Sequence, residues 1–454
     1  MLVALLPATA QIRGNSIIVT VEPDHQDWTY KVGENAHFIV EVRRSGTLVD
    51  NVTIDYAAGP EMYQTEKKSV TLKDGTLKLS GSMKSAGFYR VDVTAHVDGK
   101  DYKGACNAAF SPEKLQPSTV MPSDFKEFWE QAITEARYTP LEPTMRLLPE
   151  RCTKDVNVYE VNFNNMAWDS RTYGILCVPA TYTPRLREGG VPEGQGGRTY
   201  PALLRVPGAG SRPYQGDVWT ASQGVVTLEI GIHGIPVTLE QKVYTNLNKN
   251  ALSHYWDWGM DDRDQSYYKM VVLGCIRAVD FIEQYTPWNG QQLGVTGSSQ
   301  GGFLSLVTAG LDKRVTCYAP VHAALCDHTN SLNGKACGWP HYFYGADAKS
   351  LNGSDVSSPN AKAAAGKSSL YNKIVTSRYY DGANFARLIT PQQKGWFSFG
   401  YNDDVVPPTS AWATYNTISG PKEISIYQQT AHFWYQEQWD EWENWLLKEL
   451  GVKN

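Results

Sequence analysis

Ser299 is the residue around which chemistry can be built. It sits in Gly297-Ser298-Ser299-Gln300-Gly301, between a short apolar run, Leu293–Thr296, and the helix-like stretch Phe303–Gly310. A serine hydroxyl becomes a nucleophile when a base stands within hydrogen-bond reach and a carboxylate orients that base. It must also stand clear of the chain, and a sharp strand-to-helix turn does this. Such a turn brings the flanking positions so close to neighbouring backbone that only glycine fits, as at Gly297 and Gly301. The helix beginning near Gln300 would aim unpaired N–H groups and its positive dipole end at the turn, where an oxyanion could form.

This strand–turn–helix resembles the G-x-S-x-G nucleophile elbow of α/β-hydrolases, whose further residues follow in the order serine, acid, histidine. Of nine histidines, only His322, His328, His341 and His432 follow Ser299. His432 alone lies beyond the last expected strand, Glu423–Tyr427, at the sheet edge where open α/β sheets carry their sites. It is the expected base, while His322 and His328 could line the pocket. The acid should lie on the loop Gly400-Tyr401-Asn402-Asp403-Asp404-Val405-Val406-Pro407-Pro408. Spacing leaves Asp403 and Asp404 both open, since adjacent side chains cannot both face one histidine. Two backbone amides would stabilise the oxyanion: Gln300, after the nucleophile, and Ala209, between the glycines of Pro207-Gly208-Ala209-Gly210. This chemistry needs no metal and no cofactor.

The elements that would hold these residues follow from length and pattern. A chain of 454 residues exceeds the roughly 100–200 residues of one typical domain. A net charge of −5 offers no electrostatic case for nucleic acid or an anionic membrane. Beyond the N-terminus no segment reaches the ~18 consecutive apolar residues of a membrane span. Seven cysteines without metal spacing leave at least one unpaired; several read as small buried hydrophobes, and one disulfide is possible. Residues 1–10 are apolar and end in Ala8-Thr9-Ala10, which is expected to be the remnant of an export signal and so suggests a secreted or periplasmic protein. Residues 11–111 carry about seven short alternating runs, with Asp74-Gly75 and Asp98-Gly99 as hairpin turns and Ser45-Gly46 as a weaker one. This is the texture of an immunoglobulin-like β-sandwich. Residues 112–123 hold three prolines and read as a linker. From residue 124 to 454 a helix capped by Ser123 leads into alternating strands and helices, which predicts a mostly parallel sheet with helices on both faces. The expected fold class is therefore α/β, an α/β-hydrolase domain preceded by an all-β sandwich.

From about Pro122 onward the chain resembles the acetyl xylan esterase / cephalosporin C deacetylase family, carbohydrate esterase family seven. Asp124-Phe125-Lys126-Glu127-Phe128-Trp129 looks like that family's opening helix, and Gly297-Ser298-Ser299-Gln300-Gly301-Gly302 like its G-x-S-Q-G-G. Asp261-Asp262 with Tyr267-Tyr268, Leu325-Cys326-Asp327, and Tyr379-Tyr380-Asp381 with Asn384 and Arg387 follow in its order. The resemblance selects Asp403 over Asp404 and matches His432 and Ala209 to the family's base and second oxyanion donor. The chain departs at Gly231-Ile232-His233-Gly234, where the family carries Arg-Gly-Gln, and at Phe433, where it carries glutamate. The resemblance implies deacetylation of acetylated xylan or xylo-oligosaccharides, and leaves a homo-oligomer open because the family typically forms a ring-shaped hexamer. Among 14 tryptophans and 26 tyrosines, Tyr214, Trp256, Trp258 and Trp434 neighbour the site loops and are candidate sugar platforms. Two other readings compete: a serine peptidase of prolyl-oligopeptidase type, and a non-catalytic glycan-binding protein with a degenerate hydrolase domain.

Overall fold

The computed structural model describes residues 16–194, 197, 199–351 and 353–452, so the expected export-signal remnant at 1–10 lies outside the described residues. The described residues divide into two compact units, one ending at residue 112 and the other beginning at residue 113.

The first unit is all β. Its strands are β1 (Ile17–Pro23), β2 (Thr29–Tyr30), β3 (Ala36–Arg44), β4 (Thr47–Leu48), β5 (Val52–Pro60), β6 (Glu66–Leu72), β7 (Thr76–Gly81), β8 (Gly87–Val97) and β9 (Lys100–Phe110). One sheet holds β1, β3, β4 and β7; the other runs β2-β9-β8-β5-β6. Alternation sorts the faces: Ala36, Phe38, Val40 and Val42 of β3 are buried, while His37 and Ile39 are exposed. Asp98 and Gly99, at φ of 51° and 72°, close the β8–β9 hairpin. Asp74-Gly75 differs from expectation. It joins strands of different sheets, because β6 pairs with β5 and β7 with β3. A Cβ on Gly75 would lie 2.8 Å from Val49 N, so the glycine permits a close crossing between sheets instead of a hairpin.

The second unit is built on one nine-stranded sheet: β10 (Thr144–Leu147), β11 (Val156–Asn164), β12 (Arg171–Pro179), β13 (Tyr200–Arg205), β14 (Val226–Gly231), β15 (Trp288–Ser298), β16 (Cys317–Val321), β17 (Lys394–Phe399) and β18 (Lys422–Ile426). The spatial order is β10-β11-β12-β14-β13-β15-β16-β17-β18. The pairs up to β12–β14 are antiparallel, and every later pair is parallel. Helices α1 (Phe125–Arg137), α2 (Val218–Ser222), α3 (Gln241–Lys249), α4 (Tyr267–Tyr285), α5 (Gln300–Leu311), α6 (Ser369–Ser377), α7 (Gly382–Ala386), α8 (Pro408–Asn416) and α9 (Gln436–Glu449) complete it. The result is a mixed α/β fold of α/β-hydrolase type. The N-cap of α1 is Asp124 and not Ser123, and its side chain bonds outward to Arg263.

Strand alternation divides the core. Ala202 and Leu204 of β13 join Leu293, Val295 and the apolar face of α4 on one side of the sheet. Leu203 joins Cys317, Ala319, Val321 and Trp442, Trp445, Leu446 and Leu450 on the other, under α9. All seven cysteines are free. Among the described residues no helix is long and apolar enough to cross a membrane.

Candidate active site

Four consecutive parallel strands deliver the site from their C-terminal ends. Ser299 follows β15, His322 follows β16, Asp403 follows β17 and His432 follows β18. Ser299 has φ 61° and ψ −120°, a region that costs on the order of 1–3 kcal/mol for a non-glycine residue and persists only where its surroundings enforce it. Here Ser299 N donates to Val321 O at 2.9 Å, and Ala324 N donates to Ser299 O at 3.0 Å. A Cβ on Gly297 or Gly301 would lie 2.3 or 2.4 Å from Val206 O, and one on Gly302 2.6 Å from Val321 O. The three glycines let the turn press against both neighbouring strands. Ser299 stays half-buried while Gln300, the first residue of α5, is buried.

The carboxylate and imidazole are paired. His432 Nδ1 lies 2.7 Å from Asp403 Oδ2, and Asp403 Oδ1 accepts from Val405 N at 3.0 Å and Val406 N at 2.8 Å. Asp403 is fully buried, whereas Asp404 is exposed. The acid loop meets the base loop directly: Asn402 N donates to Thr430 O at 3.1 Å, and a Cβ on Gly400 would lie 2.0 Å from that oxygen. His322 packs against the pair, its ring centroid 5.0 Å from that of His432. Burial pushes its pKa down to about 4, so the ring is neutral at ordinary pH. His328 is fully buried, its ring 4.9 Å from that of Tyr342 and its backbone N–H donating to Asp381 Oδ2 at 2.9 Å.

The two expected oxyanion donors lie on loops joined by side chains that sequence reasoning missed. Tyr255 Oη donates to Gln300 Oε1 at 2.5 Å and accepts from Gly210 N at 3.2 Å. Tyr268 Oη donates to the same Oε1 at 2.8 Å, and Gln300 Nε2 donates to Pro207 O at 3.4 Å. The Gln300 carboxamide thus ties the start of α5 to the loop carrying Ala209. Gln300 N is among the first-turn amides that have no acceptor within the helix. At the Gly231–Gly234 departure, His233 Nδ1 lies 2.7 Å from Tyr267 Oη and its ring stands edge-on to Tyr255 at 4.7 Å. Burial pushes the His233 pKa to about 4.

The four aromatic candidates separate by packing. Tyr214 is buried in a cluster with Leu148, Val156, Ile175 and Val237, so no ring face is left for a sugar. Trp434 turns inward, edge-on to Trp396 at 5.8 Å and Trp439 at 4.6 Å, and backs His322. Its neighbours Phe433 and Tyr435 are the exposed ones, at 49% and 41%. Trp256 packs between Tyr255 and Trp339. Trp258 is 40% exposed and edge-on to Tyr267 at 5.3 Å. Phe433, Trp434 and Tyr435 lie in the irregular segment between β18 and α9, where no strand alternation marks in the sequence which ring faces out.

The family model described as acetyl xylan esterase (AXE1) matches residues 112–337 and 365–449. The acetyl esterase Axe7A of Xylanibacter ruminicola is 34% identical over 445 residues, covering 96% of this chain and 92% of that protein. Among solved structures, an acetyl xylan esterase from Paenibacillus sp. R4 superimposes with a TM-score of 0.58 at 24% identity, covering 74% of this chain and 98% of that one. Acetyl xylan esterase 1 from Thermoanaerobacterium sp. JW/SL YS485 does so with a TM-score of 0.56 at 20% identity, over 74% and 97%. A serine on a strained turn, a buried carboxylate–imidazole pair at the same sheet edge and this breadth of match lead to one assignment: the chain belongs to the acetyl xylan esterase family and is a carboxylic ester hydrolase.

Proposed function

We propose that this protein removes acetyl groups from acetylated xylan or xylo-oligosaccharides through an acyl-enzyme intermediate. Ser299 attacks the acetyl carbonyl while His432 takes its proton. Asp403 holds the imidazole in the correct tautomer and stabilises its cation. The amides of Gln300 and Ala209 receive the oxyanion, each worth about 3–4 kcal/mol of barrier. His432 then gives its proton to the departing sugar oxygen, which leaves as a hydroxyl, and water activated by the same ring releases acetate. The observation that carries this reading is the 2.7 Å His432–Asp403 contact at the sheet edge that also bears Ser299. The name of the Xylanibacter ruminicola relative supports the acetyl substrate.

Trp258, with Phe433 and Tyr435, is the proposed sugar-facing aromatic set, since these rings are exposed. The β-rich first unit is proposed to be an immunoglobulin-like module, and the protein to act outside the cytoplasm. Acetate release from acetylated xylan, measured for the native protein and for Ser299→Ala, tests the reading. Undiminished release by the variant would remove Ser299 from its role, and cleavage of proline-containing peptides in place of acetyl esters would turn the assignment towards a peptidase.

A further inference from the structure

Two histidines face the carboxylate of Asp403. Nδ1 of His432 lies 2.7 Å from Oδ2, and Nδ1 of His322 lies 3.9 Å from the same oxygen. One potential ligand atom from each of His322, Asp403 and His432 lies within 4.8 Å of the other two. His322 is 3% exposed, and its Nδ1 has no hydrogen-bond partner among the described residues. Buried polar atoms are nearly always satisfied, so an orphaned imidazole nitrogen aimed at a carboxylate calls for an explanation.

We propose that His322, Asp403 and His432 form an inhibitory site for a divalent cation of the Zn2+ type. Two imidazoles and one carboxylate are a recognised donor set for Zn2+, with metal–ligand distances of about 2.0–2.2 Å in tetrahedral geometry. Tetrahedral bonds of that length set donor atoms roughly 3.3 Å apart. The separations of 2.7 and 3.9 Å from Oδ2 bracket this value, so both imidazoles already stand close to the donor spacing of such a centre. The support that a ligating carboxylate requires is already built, because Asp403 Oδ1 is held by Val405 N and Val406 N. His322 is held through its own backbone, its N–H donating to Ser398 O at 3.0 Å.

The consequence for activity rests on His432 being the base. A neutral imidazole bound to a metal through Nδ1 carries its proton on Nε2. Binding therefore shifts the His432 proton from Nδ1 to Nε2, replaces the Nδ1–H···Oδ2 bond by two bonds to the metal, and releases no net proton. Nε2, which would accept the Ser299 proton, is then already protonated. The same three residues either serve the hydrolysis or hold the cation.

The test uses ZnCl2 and CoCl2 on the full chain. Zn2+ should inhibit p-nitrophenyl acetate hydrolysis and EDTA should restore it. His322→Leu should raise the half-inhibitory Zn2+ concentration roughly tenfold or more, since loss of even an outer-shell partner costs that much. Ser299→Ala keeps all three ligands and should bind one equivalent of Co2+ with the intense visible bands of a tetrahedral centre. Those bands should be absent from Ser299→Ala/His322→Leu. Unchanged Zn2+ sensitivity in His322→Leu overturns the proposal. So does a Ser299→Ala protein that binds no Co2+ or binds it octahedrally, and this second readout holds even if His322→Leu does not fold. Failure of the esterase reading would show separately, as an untreated protein that releases no acetate.

Discussion

The hydroxyl of Tyr255 stands 2.5 Å from Oε1 of Gln300. Because the same hydroxyl accepts from Gly210 N, one oxygen couples the two loops whose amides would receive an oxyanion. Such donors act on charge that exists only in the transition state. Tyr255→Phe should therefore lower kcat for p-nitrophenyl acetate about 10- to 100-fold, short of the 10²–10³ of an outright lost donor. KM should change little. A rise in KM with kcat intact would show the hydroxyl serving ground-state binding instead.

Asp403 and Asp404 are adjacent but differently placed, one fully buried against His432 and the other in solvent. Asp403→Asn should lower kcat by roughly 10⁴, the effect of leaving the base in the wrong tautomer. Asp404→Asn should stay near the native rate. Steady-state kinetics on the two variants decides the assignment, and equal losses would count against it.

The elbow glycines answer to backbone oxygen, which cannot rotate away. A Cβ on Gly301 would lie 2.4 Å from Val206 O. Gly301→Ala should destabilise the protein by at least about 1–3 kcal/mol and remove activity. Urea unfolding followed by fluorescence measures the first effect.

Asp327 provides a pH dependence of stability. Burial, and next the charge of Asp381, push its pKa up to about 7, although Ser118 N, Ser118 Oγ and Thr119 N donate to its Oδ1 at 2.8, 2.8 and 3.0 Å. Between the unfolded value near 4 and this folded value, the native state binds a proton that the unfolded state does not. Stability therefore falls as pH rises through that window. Asp327→Asn should stabilise the protein more at pH 8 than at pH 5, by an amount on the order of a few kcal/mol. Urea titrations at the two pH values check this, and a gain independent of pH would contradict it.

The exposed rings Trp258 and Phe433 should matter for sugars and not for small esters. Each alanine variant should raise KM for acetylated xylan about 2- to 12-fold, equivalent to 0.5–1.5 kcal/mol per aromatic contact. Kinetics on p-nitrophenyl acetate should be unchanged. A loss shared by both substrates would point to damaged packing.

Much of the second unit is legible in sequence because its signals are local. Tyr267–Tyr285 is a helix at the residues its periodicity predicts, and the expected strands at Pro201–Val206, Gly224–Ile230 and Gly395–Gly400 lie within two residues of the observed ones. What escaped was short or polar. Thr144–Leu147 is a four-residue edge strand that exists because it pairs with β11. The polar helix Gln241–Lys249 buries only Tyr244, so its apolar stripe is too thin to read.

By itself, the sequence determined the elbow, the order of serine, carboxylate and histidine along the chain, and the two glycine-bounded amide loops. Each of these follows from turn sterics or strand succession within a few residues. Only the tertiary structure decided that Asp403 is buried and Asp404 solvated, that Tyr214 and Trp434 turn into the core while Phe433 and Tyr435 face out, and that Tyr255 reaches Gln300 from 45 positions away. Those outcomes depend on which distant surfaces pack together. A side chain's direction is settled by the elements it meets, and no local pattern in the chain records them.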